Sequence, residues 1–144
     1  MKVLIVHHVE PMWESLFDLT PEEYVDQIIN YIDDHAYDKI IMTTMEGDGY
    51  EELGYKCDTH EEWSYGWEDP EEYPQWYNDS SIDPADIIPA NGHEFTYLYP
   101  WIKNLKGSKI DLIGGAWSAC LEDLTNALDH LNIEYNMIVK LIYG

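Results

Sequence analysis

The segment Gly114-Gly115-Ala116-Trp117-Ser118-Ala119-Cys120 joins two glycines to a thiol through four residues. An apolar run, Ile110-Asp111-Leu112-Ile113, leads into the glycines. Leu121, Leu124, Ala127, Leu128 and Leu131 follow at helical spacing. The pattern puts Cys120 in the first turn of a helix that starts just past a strand. Free amides and partial positive charge at a helix N-terminus lower a thiol's pKa and favour the nucleophilic thiolate. The same amides suit an oxyanion. The competing reading is a small buried cysteine that packs a helix start.

Two further constellations carry groups capable of chemistry. His7-His8-x-Glu10 follows the apolar run Val3-Leu4-Ile5-Val6. With Glu46, Asp48 or His93 it has ligand types suited to a divalent cation, but adjacent residues of a strand point to opposite faces. Two polar residues closing a strand are the simpler reading, and no metal is assigned. Cys57-Asp58-Thr59-His60-Glu61 contains a C-x-x-H spacing, but zinc wants a second pair and none is evident.

Elements able to position these groups are legible at both ends of the chain. Val3–Val6 reads as a strand buried on both faces. Thr20-Pro21-Glu22-Glu23 reads as a capped helix start, with Tyr24, Val25, Ile28, Ile29, Tyr31 and Ile32 repeating at helical spacing. Asp33-Asp34-His35 closes that helix, and Ile40-Ile41-Met42-Thr43-Thr44 is a second strand. Right-handed crossover makes the two strands parallel. Towards the C-terminus, Trp101–Lys106 reads as a short helix between Pro100 and Gly107. Strand Ile110–Ile113, the helix after Cys120 and a closing strand Met137–Ile142 then follow. The expected fold is a three-layer α/β/α domain spanning residues 1–144. Its sheet is mostly parallel, with Val3–Val6 central between Ile40–Thr44 and Ile110–Ile113.

Residues 46–94 differ in kind. They hold 15 Asp or Glu, one Lys, three Trp and five Tyr, with little periodicity beyond a short strand at Ile87-Ile88. Eight large aromatics do not fit a disordered composition, so an acidic, aromatic-rich packed lobe is expected. Its acidic residues and aromatics, Glu61, Glu62, Trp63, Trp67, Glu68 and Asp69, are candidates for docking a basic partner. In that role the carboxylates would steer and the aromatics anchor.

The stretch from Ile110 to Ile142 resembles the C-terminal part of the isochorismatase-like cysteine hydrolases, which include nicotinamidases. Their pattern is a strand, then Gly-Val-x-Thr-x-x-Cys-Val, then an amphipathic helix and a strand. Gly114 matches the family glycine and Cys120 falls on the nucleophile. Gly115-Ala116 falls where the family often has a cis peptide beside its oxyanion hole, which assigns Gly115, Ala116 and Trp117 to that pocket. Gly115 replaces the family Val and Trp117 its Thr. The family activates its Cys with an Asp at the end of the first strand and a Lys from mid-chain. Here His7 takes the Asp position, and no Lys lies between Lys56 and Lys103. His7 is then the candidate base toward Cys120, since Cys–His pairs perform nucleophilic chemistry.

Charge narrows the functions. The chain has 29 acidic residues against 7 basic ones, all Lys, for a net charge of −22. Such a balance disfavours direct nucleic-acid binding and anionic membrane surfaces. The N-terminus carries no secretory pattern, no apolar stretch is long enough to span a membrane, and two cysteines are too few for a disulfide framework. A cytoplasmic protein without a cofactor is expected. Three readings follow. One is a catalytically degenerate isochorismatase-like protein that binds a small molecule or partner. Another is an acidic interaction protein on some other α/β fold, either a docking surface for a basic protein or a nucleic-acid decoy. The third is an active cysteine hydrolase of small amides or esters. A metal-dependent enzyme built on His7 and Glu10 stands behind these.

Overall fold

The computed structural model describes residues 1–45, 49–66, 69–91 and 93–144. A five-stranded sheet has the order β3-β2-β1-β6-β7, with β1 (Lys2–His7) in the centre. Its neighbours are β2 (Lys39–Thr44) and β6 (Lys109–Gly114), and all four pairings in the sheet are parallel. The outer strands are β3 (Thr59–Glu62) and β7 (Tyr135–Ile142). β6 and β7 lose register between Leu112 and Gly114, so that Leu112 faces Met137 while Gly114 faces Ile142.

Alternation along β1 feeds two cores, as a strand buried on both faces requires. Leu4 and Val6 pack against α1 (Pro21–Asp34) through Tyr24, Val25, Ile28 and Ile32. Val3 and Ile5 pack on the other face with Leu121, Leu124, Ala127 and Leu128 of α4 (Cys120–His130). The result is the expected three-layer arrangement. The helix-start signal of α1 is realised: the Glu23 amide donates to Thr20 Oγ1 at 3.2 Å, and that hydroxyl donates to Glu23 Oε1 at 3.0 Å.

The acidic middle region is built of short elements. α2 (Glu51–Gly54) precedes β3, three 3₁₀ turns follow, and β4 (Ile87–Ala90) pairs antiparallel with β5 (His93–Tyr97) as a separate hairpin. A brief helix α3 (Pro100–Lys103) then leads to β6. The lobe packs around buried aromatics. Ser64 organises them, taking the Trp76 indole N–H on its hydroxyl at 3.1 Å and the Thr96 hydroxyl on its carbonyl at 2.8 Å. Among the described residues no helix is long and apolar enough to cross a membrane.

Candidate functional site

The parallel strands deliver their carboxyl ends to one rim, the place where open α/β sheets bind ligands. His7 ends β1, Gly114 ends β6 opposite it in register, and Cys120 opens α4. Gly114 has φ +106°, and an added Cβ would lie 2.0 Å from the His7 carbonyl oxygen, so only glycine allows this close approach. The Gly115–Ala116 peptide is cis.

Sequence reasoning brings His7 to Cys120, and the structure does so too, but through a different atom. His7 Nε2 donates to the Cys120 carbonyl oxygen at 3.2 Å. A carbonyl only accepts, so Nε2 carries the proton, and the Thr43 hydroxyl turns its single hydrogen to Nδ1 at 2.7 Å in preference to the Val6 carbonyl at 3.3 Å. Neither nitrogen is left to take the thiol proton. Burial pushes the His7 pKa well below its ordinary value, the neighbouring His8 adds to this, and the Cys120 carbonyl opposes it.

The thiol itself departs from the helix-terminus expectation. Cys120 is 3% exposed, and burial pushes its pKa up to about 11. The Tyr65 hydroxyl and the Ala116 amide pull it down, while the carboxylates of Asp123 and Glu10 push it up. Desolvation of the thiolate outweighs the helix amides, and among the described residues no cationic side chain acts on the thiol. Two of the amides that the resemblance assigns to an oxyanion pocket are engaged by the chain itself. The Gly115 amide donates to the His7 carbonyl and the Trp117 amide to the Tyr143 carbonyl, each at 2.9 Å. The Ala116 amide faces the sulfur, and Trp117 is 44% exposed.

His8, named in the sequence only as a possible cation ligand, completes the buried rim with Tyr65, Asp123 and Tyr143, which the sequence did not single out. His8 has φ 51° and stacks on His7 with ring centroids 4.0 Å apart. Its Nε2 donates to the Trp63 carbonyl at 3.0 Å, and burial lowers its pKa to about 3. Tyr65 takes the Trp63 indole N–H on its hydroxyl at 2.9 Å and stacks on His93 at 4.1 Å. Asp123 accepts the Asn91 amide at 2.6 Å, and burial raises its pKa to about 6. Its position three residues after Cys120 puts it on the same helical face, a spacing signal available in the sequence. Tyr143 donates its hydroxyl to the His8 carbonyl at 2.5 Å.

The other candidates fall elsewhere. Trp63 is 0% exposed and belongs to the core, so it is no surface anchor for a partner: its ring packs against Tyr99 and Trp101. Glu62 and Asp69 are exposed, and Glu61 is partly buried on β3. Trp67 and Glu68 lie outside the described residues, as do Glu46 and Asp48. Among the described residues no group of three His, Cys, Asp or Glu is placed to hold a metal ion. Glu10 receives the Met45 amide on both carboxylate oxygens. Cys57 donates its thiol to the Leu53 carbonyl, and His60 donates to the Gly54 carbonyl, so each end of the C-x-x-H spacing has its own partner.

A cavity of about 580 Å³ opens at the carboxyl ends of β2 and β3. Glu61, Glu62 and Glu72 line it together with Tyr65 and Tyr73. Among the described residues no Lys or Arg lines it. Compared with known proteins, the chain matches no family model, no curated protein and no solved structure.

Proposed function

We propose that this chain is an isochorismatase-like α/β protein that binds a ligand or partner and does not hydrolyse amides. The observation that carries the reading is the state of His7. Its proton is committed to the Cys120 carbonyl and its lone pair to Thr43, so His7 does not serve the thiol as a base. The thiol is buried and strongly disfavoured as thiolate, and two of the three pocket amides are spent on the chain's own carbonyls. Loss of one member of a nucleophile–base–orienter set typically costs several orders of magnitude in rate. The scaffold that remains is a rim with an acidic cavity beside it.

The partner chemistry follows from charge. A net charge of −22, with Glu62 and Asp69 exposed along the acidic lobe, favours a cationic ligand or a basic protein surface and repels nucleic acid. Two free thiols suit a reducing cytoplasm.

The test is hydrolysis of a panel of small amides and esters by the wild-type chain and by Cys120→Ala. The expected result is no Cys120-dependent turnover. Turnover at ordinary enzyme rates that disappears in Cys120→Ala would overturn the reading in favour of an active cysteine hydrolase.

A further inference from the structure

The two edges of the five-stranded sheet are guarded differently. β3, at one end, is Thr-His-Glu-Glu, and charged side chains are a usual protection of an open edge. β7, at the other end, runs for eight residues, Tyr-Asn-Met-Ile-Val-Lys-Leu-Ile, with no Asp or Glu in a chain that carries 29. Among the described residues only β6 pairs with it, over Tyr135–Met137 and at Ile142. Val139, between these, is 65% exposed. Both faces beside the edge are hollowed. On the α4 face Met137 joins Trp117, Leu121 and Thr125 around a cavity of about 210 Å³. On the α1 face Lys140 joins Asn30 and Tyr31 around one of about 290 Å³. Strand addition uses this arrangement: an incoming strand takes the free backbone groups of the edge, and its alternate side chains enter the hollows on either face.

The edge also carries opposite charges at its two ends. Glu134, just before β7, lines a cavity with Asp129 and Tyr135 at the start of the strand. Lys140 stands near the other end, its ammonium 5.6 Å from the centre of the Tyr31 ring. Both residues are exposed, and neither forms an ion pair among the described residues, whose Lys–carboxylate pairs are Lys56–Asp33 and Lys103–Asp86. An edge with an acid at its start and a cation near its end is complementary to itself read in reverse.

We propose that β7 pairs antiparallel with β7 of a second copy of this chain, about a two-fold axis at Met137, so that the two sheets join into one. In this register Lys140 of each copy faces Glu134 of the other. Tyr135 faces Val139, an aromatic–β-branched pair, Asn136 faces Ile138, and Met137 meets its own counterpart. A slip of one residue sets Lys140 against Tyr135 or Ile133 instead, so the opposite charges select the register. The two-fold axis makes every contact off the axis occur twice, which pairs both ends of the interface. The inference goes beyond the binding reading above and does not rest on it: the acidic cavity lies beside β3, at the opposite edge of the sheet, and stays open in the dimer.

Sedimentation equilibrium of the full chain tests it, at about 0.15 M salt, where net charge is screened beyond roughly 8 Å while contact pairs persist. The expected result is a reversible monomer–dimer equilibrium. Glu134→Lys and Lys140→Glu should each weaken it by about tenfold or more, because each sets like charges against one another at both ends of the interface. The double variant Glu134→Lys/Lys140→Glu should restore association to near the wild-type level. Glu134→Lys lowers the net negative charge and Lys140→Glu raises it, so bulk charge does not weaken association in both. Val139→Asp, which charges the exposed apolar position of the strand, should weaken association by a similar factor. Circular dichroism of each variant confirms the fold. A monomer at every concentration up to about 1 mM would overturn the inference. A dimer that the single variants leave unchanged would lie elsewhere and would overturn it too. So would a double variant as weak as the singles, since the proposed register requires rescue. The non-hydrolytic reading is decided separately, by Cys120-dependent turnover.

Discussion

His7 Nε2 lies 3.2 Å from the carbonyl oxygen of Cys120, and the bond between them fixes which ring nitrogen carries the proton. The contact ties the end of β1 to the start of α4 and makes His7 a structural donor. Because a catalytic base needs an open lone pair facing the sulfur, the same bond separates a nucleophile–base pair from what is present here.

His7 and His8 should both be neutral Nε2–H tautomers, and neither should titrate between about pH 8 and pH 5. Nitrogen-15 correlation spectra of the ring nuclei check this directly. The folded pKa values lie below the ordinary value of 6.5. The stability they provide is therefore complete above that pH and is lost as pH falls below it, for His8 towards about 3. In that window the unfolded chain binds protons that the folded one refuses. Each histidine contributes up to about 1.4 kcal/mol per pH unit. A ring that protonates near 6.5 in the folded chain would contradict the buried network.

Asp123 works in the opposite sense. Burial raises its pKa from 3.8 to about 6. Ionisation therefore costs more in the folded chain, and its contribution to stability falls as pH rises from about 4 to about 6. Asp123→Asn should gain stability relative to wild type across that interval and hold a constant difference above it. Paired urea denaturation curves at several pH values measure the difference, and a pH-independent difference would refute the assignment.

Trp63→Ala should cost about 3–5 kcal/mol, the usual range for deleting a fully buried aromatic. A residue serving as an exposed anchor would cost little when truncated. Chemical denaturation of the variant distinguishes the two.

Gly107 and Gly114 both have positive φ, +88° and +106°. Alanine at Gly107 meets nothing within 4 Å, so the expected cost is the backbone term alone, about 1–2 kcal/mol. Alanine at Gly114 adds a collision with the His7 carbonyl and should cost about 2–5 kcal/mol. Comparable denaturation midpoints for the two variants would mean that β1 and β6 do not approach as described.

Much of the frame was legible because its signals are local. The Thr20-Pro21 cap, the apolar strands Val3–Val6 and Ile110–Ile113, and the leucine stripe after Cys120 each act within a few residues. β3 was missed because Thr-His-Glu-Glu has no apolar alternation. It is an edge strand held mainly by backbone pairing to β2, and its charges are those expected on an exposed edge. Trp63 was misplaced for a related reason: its acidic neighbours suggested a surface, while its own ring is covered by Tyr99 and Trp101. Cys120 was located correctly, but its electrostatics were not readable. Local rules report the helix amides, whereas the dominant effect is desolvation by groups far away in the chain. His8, Tyr65 and Tyr143 meet only in the folded state, across sequence separations that no motif spans.

The most direct measurement is the ultraviolet thiolate titration of Cys120, taken as the difference between wild type and Cys120→Ala in the folded chain. Burial places the thiol at about 11. The account predicts that the difference signal stays flat from about pH 6 to pH 9, where an ordinary thiol of pKa ~8.5 already ionises. A midpoint at or below the ordinary value would show a thiolate available at neutral pH and would contradict the non-hydrolytic reading of the site.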